Sequence, residues 1–161
     1  MAIKEGDTLP TETLRILGED GSPKPVSTDE FFAGKKVILF GVPGAFTRTC
    51  SAKHLPGFVR HADALKAKGV DDIACVSVND AAVMGAWGMA HGADGNVVML
   101  ADGNADFTAA IGMEIDRRSN GMGVRSRRYA MLIENGVVKK VNVEPEGSFG
   151  VSSAEAMLDL L

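Results

Sequence analysis

Three short runs of apolar residues constrain the fold of this chain more than any other feature of its sequence. The runs are KKVILFGV, IACVSV and VVMLAD, at residues 35–42, 73–78 and 97–102. Uninterrupted apolar runs predict strands that are buried on both faces, since a strand with one exposed face alternates apolar and polar residues. Segments with helical spacing separate the runs, so the sequence predicts an α/β protein whose strands are covered on both sides.

Helices are predicted between and after these strands. Residues 51–69 carry apolar residues at helical spacing and end on Gly69, which suits a helix terminus. Pro56 lies inside this pattern and predicts a kink or a broken first turn. Asn79 or Asp80 is expected to cap the next helix. The remaining helices are predicted at residues 80–92, 105–113 and 152–161.

The last third of the chain carries the clearest local signals. Asn135–Gly136 stands between two alternating runs, a pattern typical of a type I′ hairpin. Ser152 and Glu155 have the spacing of a capping box, which predicts the start of the final helix. The resulting order β-α-β-α-β-α-β-β-α predicts a thioredoxin-like, three-layer α/β sandwich with a central mixed β-sheet flanked by helices, in one domain over residues 1–161.

Composition and charge exclude several functional classes. The chain has 17 basic and 21 acidic residues, and its one basic cluster, Arg125–Arg128, is too short for a nucleic-acid surface. No run approaches the about 18 apolar residues that span a membrane, and the N-terminus lacks a targeting pattern, so a cytoplasmic protein is expected. Cys50 and Cys75 form neither a disulfide framework nor a familiar zinc spacing, so no metal and no cofactor are expected.

The loop GVPGAFTRTC, residues 41–50, delivers Cys50 to the start of a predicted helix just after a strand. Unpaired backbone N–H groups and the helix dipole at such a position favour a thiolate over a thiol. Thr47 offers a hydroxyl three residues before the sulfur, and Pro43 stiffens the loop and removes a competing donor. These residues predict a nucleophilic cysteine that holds a small polar co-reactant beside it.

The segment GVPGAFTRTCSAKHLPGF resembles the active-site segment of the type II, peroxiredoxin-5-like, peroxiredoxins. Stretches such as VSVNDAAVMGAW and RSRRYAMLIENGVV extend the similarity over nearly the whole chain. The resemblance implies a thiol-dependent peroxidase that reduces hydrogen peroxide and small organic hydroperoxides through a sulfenic acid. It implies that Cys50 is the peroxidatic cysteine, that Thr47 hydrogen-bonds the thiolate and the peroxide, and that Pro43 shields the sulfur from water.

The resemblance also implies an active-site arginine. In the family this arginine precedes an aromatic residue at the start of a late strand, which matches Arg128 before Tyr129. Its constant charge and planar fork suit both a thiolate and peroxide oxygens. Arg125 and Arg127 are interpreted as surface charges. Arg48 stands where the family usually has proline. The arginine is expected to loosen the loop and to add a positive charge near the sulfur, and the alternative is a solvated side chain without consequence.

Two interpretations of Cys75 stay open. In the middle of IACVSV it is a small buried apolar residue, whereas similarity to plant-type relatives makes it a candidate resolving cysteine for Cys50. A bond between them would require the first helical turn to unravel. The resolving cysteine that other members carry near the C-terminus is absent, because 151–153 reads VSS. The resemblance therefore implies an external reductant, glutaredoxin with glutathione or thioredoxin, and a homodimer.

A non-enzymatic function is the alternative: a thioredoxin-like binding or chaperone module with an inert Cys50. Four residues with complementary chemistry favour the peroxidase, because an inert module has no need of them: Pro43, Thr47, Cys50 and Arg128. His54 and His61 lie on or beside the helix of the cysteine. They are interpreted as exposed helix residues rather than as the base of a cysteine protease, since no Asn or Asp is evidently placed to orient them.

Overall fold

A mixed sheet of seven strands runs through the centre of the protein. The structure is a computed structural model and describes residues 2–161. The strands are β1 (Thr13–Leu17), β2 (Pro23–Ser27), β3 (Lys36–Gly41), β4 (Asp72–Ser77), β5 (Val98–Ala101), β6 (Glu114–Asp116), β7 (Val124–Ser126), β8 (Tyr129–Glu134) and β9 (Val137–Val143). The strand order in the sheet is β2-β1-β5-β4-β3-β8-β9, and strands β6 and β7 form a separate small hairpin.

The helices pack on both faces of the sheet. They are α1 (Thr28–Phe32), α2 (Leu55–Arg60), α3 (Ala62–Ala67), α4 (Ala81–Ala90), α5 (Asp106–Ala110) and α6 (Ala154–Asp159), and a π-helical turn (Cys50–His54) precedes α2. Within residues 2–161, no helix has both the length and the apolar character needed to cross a bilayer.

The three apolar runs form the centre of the sheet, as predicted. Strands β3, β4 and β5 are parallel neighbours, and β8 pairs with β3 in the antiparallel direction. Side chains of β3 alternate between two hydrophobic clusters: Ile38 and Phe40 pack in one, and Val37 and Leu39 in the other. Burial of both faces explains why these strands read as continuous apolar runs.

Several local predictions are also confirmed. Asp80 caps α4 by accepting a hydrogen bond from Val83 N–H at 2.8 Å. Asn135 and Gly136 connect β8 and β9 with φ angles of 49° and 77°, as a type I′ turn requires. The mixed α/β architecture with helices around a central sheet therefore agrees with the sequence prediction.

The predicted helix over 51–69 is divided into three segments. The π-helical turn ends where Leu55 N–H bonds back to the carbonyl of Cys50, and α2 starts with Pro56 in its first turn. Proline has no N–H to donate, and its ring disfavours an α-helical turn directly before it. A second break at His61 separates α2 from α3. The interruption expected at Pro56 is thus a widened turn that begins at the cysteine.

The capping box predicted at Ser152 is wrong by one residue. Ser153 caps α6, because its hydroxyl accepts from Ala156 N–H at 3.1 Å. Ser152 instead donates its hydroxyl to the carboxylate of Glu144 at 2.7 Å. The side chain of Glu155 points away from the cap and pairs with His61 at 2.9 Å.

Candidate active site

The loop between β3 and the π-helical turn lies over the carboxyl ends of the parallel strands. Val42 N–H donates to the carbonyl of Val76 at 3.1 Å, so the loop leaves the sheet beside β4. Asn79 follows β4 and accepts hydrogen bonds through Oδ1 from Ala45 N–H at 3.0 Å and from the Ser77 hydroxyl at 2.7 Å. These bonds fix the loop at the edge of the sheet where α/β proteins bind ligands.

Cys50 and Arg128 meet at this edge. The side chain of Cys50 is fully buried, and its sulfur accepts a hydrogen bond from Nη2 of Arg128 at 3.1 Å. Arg128 directly precedes β8, whose first residue, Tyr129, pairs with Gly41. A Cβ on Gly41 would overlap the Tyr129 ring, so only glycine lets β8 begin where Arg128 reaches the sulfur.

The positive charge at the sulfur comes from Arg128. A guanidinium is always charged, and its Nη2 lies at hydrogen-bond distance from the Cys50 sulfur. Arg48, two residues before the cysteine, is exposed and makes no ion pair within residues 2–161. Its charge is screened by solvent, so Arg48 contributes less than Arg128 to the electrostatics of the sulfur.

His54 is buried in the site, and its interpretation as an exposed helix residue is wrong. Its Nδ1 accepts from Nη1 of Arg128 at 2.9 Å, and its Nε2 donates to the carbonyl of Ser152 at 2.8 Å. Burial, followed by the charge of Arg128, lowers the pKa of His54 from 6.5 to about 3. The neutral imidazole can therefore accept from Arg128. The i, i+4, i+8 spacing of Cys50, His54 and Phe58 was the signal that could have placed this histidine on the buried face.

Glu144 holds the segment that contacts His54, a role that no sequence pattern indicated. Its Oε2 accepts hydrogen bonds from Gly150 N–H at 2.7 Å, from Ser152 N–H at 2.8 Å and from the Ser152 hydroxyl at 2.7 Å. Burial raises the pKa of Glu144, but these hydrogen bonds outweigh burial and hold the pKa below its usual value. The ionised carboxylate thus anchors Ser152, whose carbonyl in turn orients His54.

Thr47 and Pro43 lie in the loop before the cysteine. Both are half-buried. The hydroxyl of Thr47 donates to the carbonyl of Gly44 at 2.7 Å, and within residues 2–161 it makes no hydrogen bond to Cys50. Because its hydrogen is committed to Gly44, the Thr47 oxygen presents lone pairs to a bound molecule and acts as an acceptor.

Arg125 is half-buried and its guanidinium is hydrogen-bonded, so its interpretation as a surface charge is wrong. Nε of Arg125 donates to the carbonyl of Met122 at 2.8 Å, and its Nη1 reaches the carbonyl of Pro43 at 3.5 Å. Arg125 therefore braces the loop before the cysteine. Arg127 lines a cleft of about 400 Å³, which is also bordered by Pro43 and Arg128.

Cys75 lies in the middle of β4, between Phe40 of β3 and Met99 of β5. Its side chain is fully buried in the same hydrophobic cluster as Cys50, and both cysteines are free thiols. Burial, followed by the neighbouring Cys50, raises the pKa of the Cys75 thiol well above its usual value. In this conformation Cys75 is therefore an unreactive core residue.

Trp87 connects α4 to the π-helical turn. Its side chain is fully buried, and its indole N–H donates to the hydroxyl of Ser51 at 3.0 Å. Ser51 follows Cys50 directly. The hydrogen bond therefore links the core helix to the turn that carries the sulfur.

Comparisons with known proteins find relatives over almost the whole chain. The family model Redoxin matches residues 4–158. The chain is 53% identical to the chloroplastic peroxiredoxin-2E of Arabidopsis thaliana, a match that covers 99% of this chain and 70% of the relative. It is 48% identical to peroxiredoxin-2C of the same plant, over 99% of this chain and 98% of the relative. The crystal structure of reduced Prx3 in complex with hydrogen peroxide from Vibrio vulnificus superposes with a TM-score of 0.94 at 56% identity, covering 98% of both chains.

Proposed function

The chain belongs to the redoxin family and is a peroxiredoxin, a thiol-dependent peroxidase, and we propose that Cys50 is the residue at which it reduces peroxides. The observation that carries this assignment is the hydrogen bond of 3.1 Å from Arg128 Nη2 to Cys50 Sγ. A charged donor at the sulfur is what a nucleophilic thiolate requires, and an inert buried thiol has no use for it.

The reaction proceeds by attack of the Cys50 thiolate on the terminal oxygen of the hydroperoxide. The sulfur–oxygen bond forms as the oxygen–oxygen bond breaks, and the electron pair leaves on the departing oxygen. That oxygen takes a proton from the solvent and departs as water or alcohol, while the peroxide O–H transferred to Cys50 makes it a sulfenic acid. The sulfur is oxidised by two electrons and the peroxide is reduced by two.

Arg128 and Thr47 have complementary roles in this step. Arg128 stabilises the thiolate and, with the fork of its guanidinium, the negative charge that develops on the peroxide oxygens. Thr47 accepts a hydrogen bond from the peroxide O–H, since its own hydrogen is committed to Gly44. Pro43 contributes no N–H and limits water at the sulfur. Together these groups hold the oxygen–oxygen bond in line with the sulfur, where orientation accelerates the reaction.

The substrates are hydrogen peroxide and small organic hydroperoxides. The Vibrio vulnificus relative was solved in complex with hydrogen peroxide, which supports the smallest substrate for this chain also. The adjacent cleft of about 400 Å³ gives room for the organic group of a larger hydroperoxide.

An external thiol restores Cys50, either glutathione with glutaredoxin or thioredoxin. A thiol attacks the sulfenic acid, water leaves and a mixed disulfide forms, and a second thiol then releases Cys50. The burial of Cys50 supports an opening of the π-helical turn before a protein reductant can reach it. A role of Cys75 as the resolving cysteine requires the same opening, because its own strand lies in the centre of the sheet.

We also propose that the protein forms a homodimer and works in a reducing compartment, such as the cytoplasm. Phe46 supports the dimer: the residue is 57% exposed, although it stands in the loop that leads to Cys50. Its φ of 62° is costly for a bulky residue, so the loop presents this ring at the surface at the expense of backbone strain. Both cysteines are free, which supports a compartment that keeps thiols reduced.

The function is tested by measuring the consumption of hydrogen peroxide with dithiothreitol as the reductant. Cys50→Ser is expected to lose all turnover, because a hydroxyl is not a nucleophile at neutral pH. Rapid alkylation of Cys50 near pH 6 in the wild-type protein separates a reactive thiolate from the inert module. Full activity of Cys50→Ser would overturn the assignment.

A further inference from the structure

The cleft beside Cys50 contains charges that the peroxidase reaction leaves unused. It opens between Pro43 and Arg128 on the side of the sulfur and the loop 144–149 on the other. Arg117 and Arg127 also line it, and they come from the small β6–β7 hairpin and the segment that follows. The reaction at the sulfur needs only one guanidinium, that of Arg128, so the other two require a separate explanation.

The carboxylates of the cleft already have partners. Glu144 accepts its hydrogen bonds from Gly150 and Ser152, as described above. Glu146 pairs with Arg117, whose Nη1 lies 3.0 Å from its Oε1. Neither carboxylate pairs with Arg127.

Arg127 is the unmatched charge of the cleft. Its backbone is fixed, because its N–H donates to the carbonyl of Met113 at 2.7 Å and its carbonyl accepts from the Ser126 hydroxyl at 2.7 Å. Its guanidinium makes no ion pair and no hydrogen bond with any group in residues 2–161, although the residue is half-buried. A half-buried guanidinium without a partner favours binding of an anion, since five N–H donors are left to water alone.

We propose that Arg127 binds the carboxylate of a small molecule whose reactive end lies at Cys50. The inference rests on the proposed function, because it places the peroxide or the reducing thiol at the sulfur. Carboxylate geometry matches the planar guanidinium fork, and Ile115 and Phe149 supply apolar walls for the hydrocarbon between the two ends. The carboxylate is carried either by an organic hydroperoxide or by a small thiol that reduces the sulfenic acid.

The peroxide arm of the test compares two matched substrates. Cumene hydroperoxide with a para-carboxylate and its para-carboxamide differ in charge and have nearly the same shape. Their kcat/KM values are measured with dithiothreitol, a neutral reductant, in wild-type protein and in Arg127→Gln, Arg127→Lys and Arg118→Gln. Arg118 is the charge control, because it is exposed, pairs with Asp116 and does not line the cleft.

The thiol arm uses 3-mercaptopropionate and 3-mercaptopropionamide. The rate at which each reduces the Cys50 sulfenic acid is followed after one equivalent of hydrogen peroxide. The ratio of the two rates is compared between wild type and each variant, because that comparison cancels the difference in intrinsic reactivity of the two thiols. If Arg127→Gln lowers the carboxylate preference in the thiol arm alone, the anionic molecule is the reductant. If it does so in the peroxide arm alone, the anionic molecule is the peroxide.

Arg127→Gln is expected to lower the preference for the carboxylate by about fivefold in at least one arm, a modest effect because a half-exposed charge is screened. Arg127→Lys should restore most of the carboxylate preference, and Arg118→Gln should leave that preference as in wild type. Equal preferences in wild type and Arg127→Gln in both arms would overturn the inference. Failure of wild type to reduce even the carboxamide would instead overturn the proposed function, so the two failures are distinguishable.

Discussion

The guanidinium of Arg128 lies 2.9 Å from Nδ1 of a neutral, buried His54. The same guanidinium reaches the sulfur of Cys50 through its other terminal nitrogen. His54 is in turn held by the carbonyl of Ser152, and Ser152 by Glu144. The position of the charge at the sulfur thus depends on a chain of hydrogen bonds that ends at a carboxylate outside the catalytic loop.

Replacing Arg128 tests its contribution to peroxide reduction directly. Arg128→Ala should slow oxidation of Cys50 about 100-fold, because it removes a charged donor aimed at the reacting atoms. Arg125→Ala should have a smaller effect, since Arg125 contacts only backbone carbonyls of the loop and its neighbour. Stopped-flow measurement of the second-order rate constant with hydrogen peroxide provides the comparison. Equal effects would show that Arg128 is not the active-site arginine.

His54 is expected to act by positioning Arg128. His54→Phe keeps an aromatic ring in the cluster of Phe40, Phe58 and Phe149 but removes the acceptor for Arg128. The oxidation rate should fall about tenfold, because loss of orientation is costly even when the charge remains. His54→Gln, which offers a carbonyl acceptor, should recover part of the rate.

His61→Gln is the matched control for this histidine, since His61 pairs with Glu155 at the surface. Wild-type rates in His54→Phe, with the protein folded by circular dichroism, would contradict the positioning role.

The buried His54 also predicts loss of stability in acid. Its pKa is about 3 in the folded protein and 6.5 in the unfolded chain, so below pH 6.5 the unfolded state binds a proton that the folded state refuses. The free energy of unfolding should therefore fall as the pH drops from 6.5 towards 3, by about 2 kcal/mol at pH 5. Urea unfolding at pH 7 and pH 5 measures this difference.

In His54→Phe, the free energy of unfolding should no longer depend on pH between pH 7 and pH 5. Glu144 adds a loss of the same sign only at lower pH, because its pKa is held below the usual value of 4.5 and protonation breaks its hydrogen bonds. A pH slope in His54→Phe as steep as that in wild type would assign the acid sensitivity to another group.

Cys75 is expected to be dispensable when an external thiol is supplied. Cys75→Ser should retain peroxidase turnover with glutathione and glutaredoxin, because Cys75 lies in the core and away from the cleft. Mass spectrometry after one equivalent of peroxide distinguishes a Cys50–Cys75 disulfide, a glutathione adduct and a free sulfenic acid. Loss of turnover in a folded Cys75→Ser protein with every reductant would make Cys75 the resolving cysteine.

The central sheet was predictable from sequence because burial on both faces leaves an unmistakable apolar run, as in β3. The hairpin β1–β2 was not predictable from sequence, because β2 reads PKPVS and prolines argue against a strand. They are tolerated here because β2 is an edge strand. Cys50, Thr47 and Pro43 lie in one loop, where spacing alone brings them near each other.

The remainder of the site depends on contacts between distant parts of the chain. His54 and Glu144 meet only through Ser152, and no local pattern encodes that arrangement. Ser152 and Ser153 show why the prediction failed here. Either serine fits the start of a helix, but Ser152 is bound by the buried carboxylate of Glu144, so Ser153 caps the helix.

The hydrogen bond between Trp87 and Ser51 gives this protein an optical reporter of its own. Trp87 is the single tryptophan of the chain, so its emission comes from one ring beside the reactive turn and from nowhere else. When that turn opens, the indole loses its partner and gains water, and its spectrum should shift to longer wavelength. The emission of Trp87 should therefore report each opening of the turn without a dye or a label.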